Sequence, residues 1–204
     1  VVWENYILTN LHNFGRYPAL WRGSDQFPTV PWISDGTNYF SGELVAYDFR
    51  QDLALVRVNT PNMNSQNFGK KPAKLFKLDI KDQDSLDRLA SFEHLYAFGS
   101  YIADPSLFFT VEIGPFQAIT NNIDEGHLLK MPMGVVRGIA QEGFSGGPLW
   151  SLNGEVVGVV TLANKINTFV ITTEAVSGFL TEAAAGLSLD SNGRPLPNSG
   201  QKKR

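Results

Sequence analysis

Cysteine is absent from the 204-residue chain. That excludes disulfides, thiolate nucleophiles and cysteine-ligated zinc. It leaves the compartment open, with an intracellular and a bacterial-envelope setting both compatible. Long apolar runs are missing too. No stretch approaches the roughly 18 apolar residues of a transmembrane helix, so no membrane partner is expected. The start, Val1-Val2-Trp3, has neither the basic leader nor the apolar stretch of a signal peptide. An excess of positive charge is lacking as well. Lys and Arg total 17 against 20 Asp and Glu, a net charge of −3, which argues against a nucleic-acid partner. The one basic cluster, Lys202-Lys203-Arg204, reads as a solvated tail. What remains is a chain with 43% hydrophobic and 18% charged residues, enough apolar material for a sizeable core in one domain or two small lobes.

The apolar residues fall in strand-length runs. They are Tyr6 to Leu8, Asn38 to Tyr47, Leu53 to Val58, His94 to Phe98, Leu107 to Ile113, Phe116 to Ile119, Pro148 to Leu152, Glu155 to Leu162 and Thr168 to Thr172. Gly, Pro, Asn or Asp bounds each of them. Asp35-Gly36 and Asn153-Gly154 sit between apolar segments and signal hairpins. Evenly spaced strands of this kind point to an antiparallel sandwich or barrel. One helix is expected near the end: Val176, Phe179, Leu180, Ala183 and Leu187 form one face, with Thr173 as cap, Glu174 in the first turn and Gly186 as stop. Residues 188–204 are polar, carry two prolines and are expected to be a disordered tail or linker. The loops from Gly15 to Pro31 and from Lys70 to Arg88 are long, and Asp84 to Arg88 has the makings of a helical turn.

Gly143-Phe144-Ser145-Gly146-Gly147-Pro148-Leu149-Trp150 is the segment richest in chemistry. A serine between glycines can present a nucleophilic hydroxyl, because small neighbours let a carbonyl approach the backbone. The Gly-x-Ser-x-Gly pattern also describes the nucleophile elbow of α/β-hydrolases. In those enzymes the acid and then the histidine follow the serine. Here His12, His94 and His127 all precede Ser145, so that order cannot close. A serine hydroxyl needs a base near neutral pH. His12 ends a strand-like segment and is the best placed. His94 lies in an apolar run and suits core packing. His127 lies in an acidic loop with no second histidine at ligand spacing, so no metal is expected. For the acid that orients the imidazole, Asp52 opens the apolar run Leu53 to Val58. Asp48 and Asp35 are rivals, each also explained by a turn.

Taken together, the three segments resemble the chymotrypsin-fold serine proteases, and among them the HtrA-type branch most. The words are Tyr-Ile-Leu-Thr-Asn-x-His ending at His12, Asp-Leu-Ala-Leu-Val-Arg-Val from Asp52, and Gly-Phe-Ser-Gly-Gly-Pro-Leu around Ser145. Asn-Gly-Glu-Val-Val-Gly-Val-Val then follows as a hairpin, and Phe169-Val170-Ile171 is similar to the strand before the C-terminal helix. The resemblance spans about residues 4 to 185. It implies an all-β fold of two packed antiparallel β-barrels with a C-terminal α-helix. Residues 1–187 would be the peptidase domain. Within it, 1–69 would be the first barrel, short at its start, 70–92 the connection, 93–172 the second barrel and 173–187 the helix.

The same resemblance implies a serine endopeptidase that needs no cofactor and acts on a protein or peptide. His12, Asp52 and Ser145 would form the triad in the cleft between the barrels. The N–H groups of Gly143 and Ser145 would form the oxyanion hole. Ile139, Ala140, Val160, Thr161 and Leu162 would line the substrate site, and Thr161 would also hydrogen-bond near Asp52. Apolar Ile139, six positions before the serine, implies cleavage after small or medium apolar residues. Departures from the family pattern carry expectations of their own. Phe144 replaces the aspartate that pairs with a new amino terminus in trypsin-like zymogens, so that activation is not available. The abrupt start implies a piece of a longer parent polypeptide, and the branch is associated with homo-oligomers. The alternative reading is a catalytically silent protease fold that serves as a binding or scaffold module.

Overall fold

The computed structural model describes residues 6–14, 32–34, 39–59, 73–101, 104–121, 131–185, 187–189 and 195–197. The described residues divide into two compact units. Residues 1–73 and 179–204 belong to the first, and residues 74–178 to the second.

In the first unit, Leu53–Asn59 (β4) buries four consecutive residues, Leu53 to Val56. A strand apolar on both faces belongs in the middle of a sheet. It pairs antiparallel with Tyr6–Asn10 (β1) on one side and with Tyr39–Asp48 (β3) on the other. Trp32–Ser34 (β2) extends β3 as an antiparallel neighbour, and the Asp35-Gly36 turn between them lies outside the described residues. Leu187–Leu189 (β13) touches β3 in parallel through Leu189 and Asp48, and pairs antiparallel with Pro195–Pro197 (β14). Leu187, expected on the face of the C-terminal helix, thus lies in a strand, and Ser188, Leu189 and residues 195–197 are strand where composition led us to expect a disordered tail.

The second unit holds the larger sheet. Its strands are Lys74–Leu75 (β5), Leu95–Tyr101 (β6), Asp104–Ile113 (β7), Phe116–Thr120 (β8), Met133–Arg137 (β9), Pro148–Ser151 (β10), Glu155–Ala163 (β11) and Asn167–Thr172 (β12). The order across the sheet is β7-β6-β10-β11-β12-β9-β8, with β5 parallel to β11. Gly154, at positive φ, turns β10 into β11 through a Gly154 N–H bond to Ser151 O of 3.0 Å, the hairpin signalled by Asn153-Gly154. The core of this unit includes Phe76, Leu95, Ile113, Val136, Phe144, Leu149 and Val160.

Two α-helices are present among the described residues. Gln83–Ala90 (α1) starts at Asp82, whose carboxylate accepts the Ser85 N–H at 3.2 Å. It buries Leu89, and Arg88 lies 5.3 Å over the ring of Phe76. Thr173–Ala184 (α2) buries Val176 and Phe179. Thr172, not Thr173, supplies the hydroxyl that accepts an N–H at its start, from Ala175 at 3.4 Å. Glu174 accepts the Ile80 N–H at 2.9 Å instead of serving only the helix end. Gly186, expected to end this helix, lies outside the described residues.

The fold class read from the sequence is therefore corrected. The described residues form a mixed α/β fold with two separate α-helices, and not an all-β pair of antiparallel barrels. Among the described residues neither strand path returns to its first strand, and each sheet includes a parallel contact. The reason for the miss is physical. α1 shows only Leu86 and Leu89 as an apolar face, so the sequence announced no more than a helical turn over Asp84 to Arg88. Sheet closure depends on pairing between strands far apart in sequence, which no local pattern encodes.

Leu149 is fully buried between Ala97 of β6 and Gly158 of β11. Leu149→Ala is expected to lower unfolding stability by about 2–5 kcal/mol, read from the midpoint of urea denaturation at unchanged slope.

Candidate active site

The first unit positions a histidine on a carboxylate. β1 and β4 pair in register from Tyr6↔Arg57 to Asn10↔Leu53. The ladder runs one step further, where the Leu11 N–H donates to Asp52 O at 3.0 Å. The chain then turns into a short 3-10 segment, Leu11–Phe14, which carries His12. The His12 backbone N–H donates to Asp52 Oδ1 at 2.9 Å, and His12 Nδ1 lies 2.6 Å from Asp52 Oδ2. Both carboxylate oxygens thus face one residue. The His12 side chain is 32% exposed and that of Asp52 10%, so the carboxylate is mostly shielded while the ring can still reach solvent. Asp52 adopts φ 53°, in the left-handed region that Asp tolerates better than most residues. Fully buried Asn10 donates a second hydrogen bond to Asp52 O, at 3.1 Å. Sequence reasoning named the Thr-Asn-x-His word but gave Asn10 no role.

The rival acids and bases have other partners or lie elsewhere. Asp48 is buried and accepts the Arg50 N–H at 2.8 Å and Arg50 Nη2 at 3.3 Å, a turn function. Asp35 and His127 lie outside the described residues. His94 is exposed, not packed in the core, and its Nδ1 lies 2.5 Å from Glu112. The strand alternation explains this: Leu95 and Ala97 take the inward positions.

The second unit positions the serine. Phe144 is completely buried, with its ring against Gly99 of β6. A Cβ at Gly99 would come within 2.7 Å of that ring. Gly143 has φ 100°, a backbone that a side chain would strain, and its carbonyl accepts the Ser100 N–H at 3.3 Å. Beyond the serine, the Gly146 N–H donates to Val160 O at 2.8 Å and the Val160 N–H to Gly147 O at 2.9 Å. Ser145 Oγ itself donates to Thr161 O at 3.2 Å. The loop is thus fixed on β6 and on β11, with Ser145 half-buried between the two attachments. Phe144 fills, as core, the position where trypsin-like zymogens carry an aspartate.

The expected substrate residues divide by exposure. Ile139 is 50% exposed, whereas Ala140, Val160 and Thr161 are buried and Leu162 is half-buried. β10 pairs with β11 only as far as Val159, so Thr161 to Ala163 extend past the end of β10. Among the described residues no three His, Cys, Asp or Glu side chains are grouped to hold a metal ion. No described helix is long and apolar enough to cross a membrane.

The first unit thus carries a histidine gripped by a carboxylate, and the second a glycine-bounded serine on a sheet-anchored loop. The model of the trypsin-like peptidase domain matches residues 1–159, and the chain belongs to that family of serine endopeptidases. No curated protein matches it. Solved structures that resemble it include the Rv3671c protease from M. tuberculosis in its active form. That structure is 20% identical with a TM-score of 0.65, over 94% of this chain and 74% of that one. The HtrA-type protease AlgW, solved with a decapeptide, is 18% identical with a TM-score of 0.62, over 92% of this chain and 51% of that one. Deg5 is 18% identical with a TM-score of 0.62, over 89% and 80%. At these identities the likeness is one of fold, and AlgW represents the HtrA-type branch that the motifs resemble.

Gly147 tests how tightly the loop is seated. A Cβ there would stand 2.1 Å from Phe98 O, so backbone must move, and Gly147→Ala is expected to cost about 1–3 kcal/mol. Gly178, in α2, has open space around an added Cβ. Gly178→Ala is expected to raise stability by about 0.5–1 kcal/mol. Thermal melting of the two variants beside the parent checks the contrast.

Proposed function

We propose that the chain hydrolyses peptide bonds through an acyl-enzyme on Ser145, with His12 as general base and Asp52 as its orienting carboxylate. The single observation that carries this reading is the double contact of Asp52 on His12. One oxygen meets the backbone N–H, and the other meets Nδ1. With Nδ1 held on the carboxylate, Nε2 is the nitrogen left to take a proton.

In this reading Ser145 Oγ attacks the carbonyl carbon, and its proton passes to His12 Nε2. The imidazolium then gives that proton to the leaving amine as the C–N bond breaks. Water, deprotonated by the same histidine, cleaves the acyl ester and restores the hydroxyl. Asp52 stays ionised and stabilises the cation. The N–H groups of Gly143 and Ser145 receive the oxyanion, one such donor being worth about 3 kcal/mol in other enzymes. Support for the Gly143 donor comes from its φ of 100° and from a carbonyl already engaged by Ser100.

Ile139, Ala140, Val160, Thr161 and Leu162 serve as the substrate residues. Support comes from the exposed apolar side chain of Ile139 and from the stretch of β11 that runs past the end of β10, which suits pairing with an extended peptide. The residue before the scissile bond is accordingly small or medium and apolar.

Ser145→Ala and His12→Ala are each expected to reduce peptide hydrolysis to background, because nucleophile and base act as a unit. Asp52→Asn should lower kcat by roughly 10⁴. Hydrolysis that survives both alanine changes in pure protein refutes the mechanism. A peptide-library profile should show apolar residues before the cut, and one dominated by Lys or Arg overturns the assignment of Ile139. Failure of the parent protein to react with a fluorophosphonate probe would mark it as a silent fold.

A further inference from the structure

We propose that Thr168 is a positioning residue for the serine loop: its buried hydroxyl staples the segment Gly138–Ala140 to β12. The inference rests on the reading of Ser145 as nucleophile.

β9 and β12 pair in register up to Arg137↔Asn167, and there the ladder ends, because the chain turns away at Gly138. Gly138 sits at φ 108°, and its N–H donates to Ile166 O at 2.9 Å. The next two backbone groups lie beyond reach of ladder pairing, yet Ala140 is buried. Such groups are costly to leave without partners. One side chain serves both. Thr168 Oγ1 donates to Gly138 O at 2.8 Å and accepts the Ala140 N–H at 2.7 Å. A hydroxyl has one proton and two lone pairs, so it can bridge a carbonyl and an amide at once. Thr168 itself is 0% exposed, and a β-branched side chain on a strand has little rotamer freedom. The staple is therefore stiff.

Its placement sets two features of the proposed site. Ile139 stands between the two stapled residues and projects outward, so its direction follows from the anchoring of its neighbours. Immediately beyond Ala140 the chain enters the turn that leads to the serine, with the Phe144 N–H bonded to Gln141 O at 3.2 Å. The tethers described above for Gly143, Phe144, Gly146 and Gly147 are backbone bonds or apolar packing. Thr168 holds the other end of the same loop through a side chain, which can be exchanged without altering the backbone.

Thr168→Val keeps the shape and deletes both bonds, whereas Thr168→Ser keeps the hydroxyl. The second-order rate of fluorophosphonate labelling is measured on folded protein, alongside thermal melting. The valine variant is expected to label about 10- to 100-fold more slowly, and the serine variant to stay within about threefold of the parent. A valine variant that melts lower but labels at the parent rate overturns the proposal and leaves Thr168 a merely structural residue. A parent protein that does not label at all refutes instead the assignment of Ser145, and the inference falls with it. A further measurement needs no variant. In the parent, the Ala140 amide should exchange with solvent slowly, and exchange as fast as in exposed turns overturns the staple.

Discussion

The register of β1 on β4 is the constraint on which the histidine's chemistry depends. Asp52 meets His12 because the ladder places Asn10 opposite Leu53 and then adds one further bond, from Leu11 to the Asp52 carbonyl. A slip of one residue would turn every side chain of β4 to the other face. It would also carry the carboxylate away from both His12 atoms it contacts. Burial of Leu53 to Val56 on both faces of the strand opposes such a slip, so core packing and site geometry are enforced by the same residues. The left-handed backbone of Asp52 is the local cost of this arrangement. The two donors on its carbonyl, Leu11 N–H and Asn10 Nδ2, help to hold it there.

The serine depends on a different kind of restraint. Its loop is not a strand and cannot rely on a continuous ladder. Isolated bonds to β6, β11 and β12 take that role, together with one aromatic ring sunk into the core. Phe144 is the clearest case of a residue with two consequences. It fills volume against Gly99, and it removes the position from any electrostatic switch involving a new amino terminus. The small residues around it are required by contact distances: the Phe98 carbonyl leaves no room for a side chain at Gly147.

Much of the candidate site was legible in the sequence because its proposed parts lie in short, ordered words. The order His12, Asp52, Ser145 excluded one hydrolase class and agreed with another, and the apolar runs located most strands. The parts that were not legible share a cause. β9, in Met-Gly-Val-Val-Arg, is a brief run without alternation. α1 has too few apolar positions to announce itself as more than a helical turn. Thr172 takes the capping bond through geometry at a strand end, where Thr173 is the equal candidate by type. Thr168 gave no signal, since a threonine in a strand is ordinary until its hydroxyl is seen to bridge two backbone groups of another segment. Closure of the sheets is likewise a property of distant pairings, and the expected barrels did not follow from local alternation.

The small parallel contact between Leu189 and Asp48 makes the first unit discontinuous along the chain. During synthesis, β1, β2, β3 and β4 emerge first, yet β13, which meets β3 at Asp48, arrives only after the whole of the second unit. At about 5–20 residues per second, that interval is on the order of ten seconds. Throughout it, the Asp48 end of β3 lacks the neighbour it has in the finished chain, and an uncovered edge invites pairing with other chains. The nascent protein therefore carries its histidine half as an unfinished sheet while its serine half is already complete.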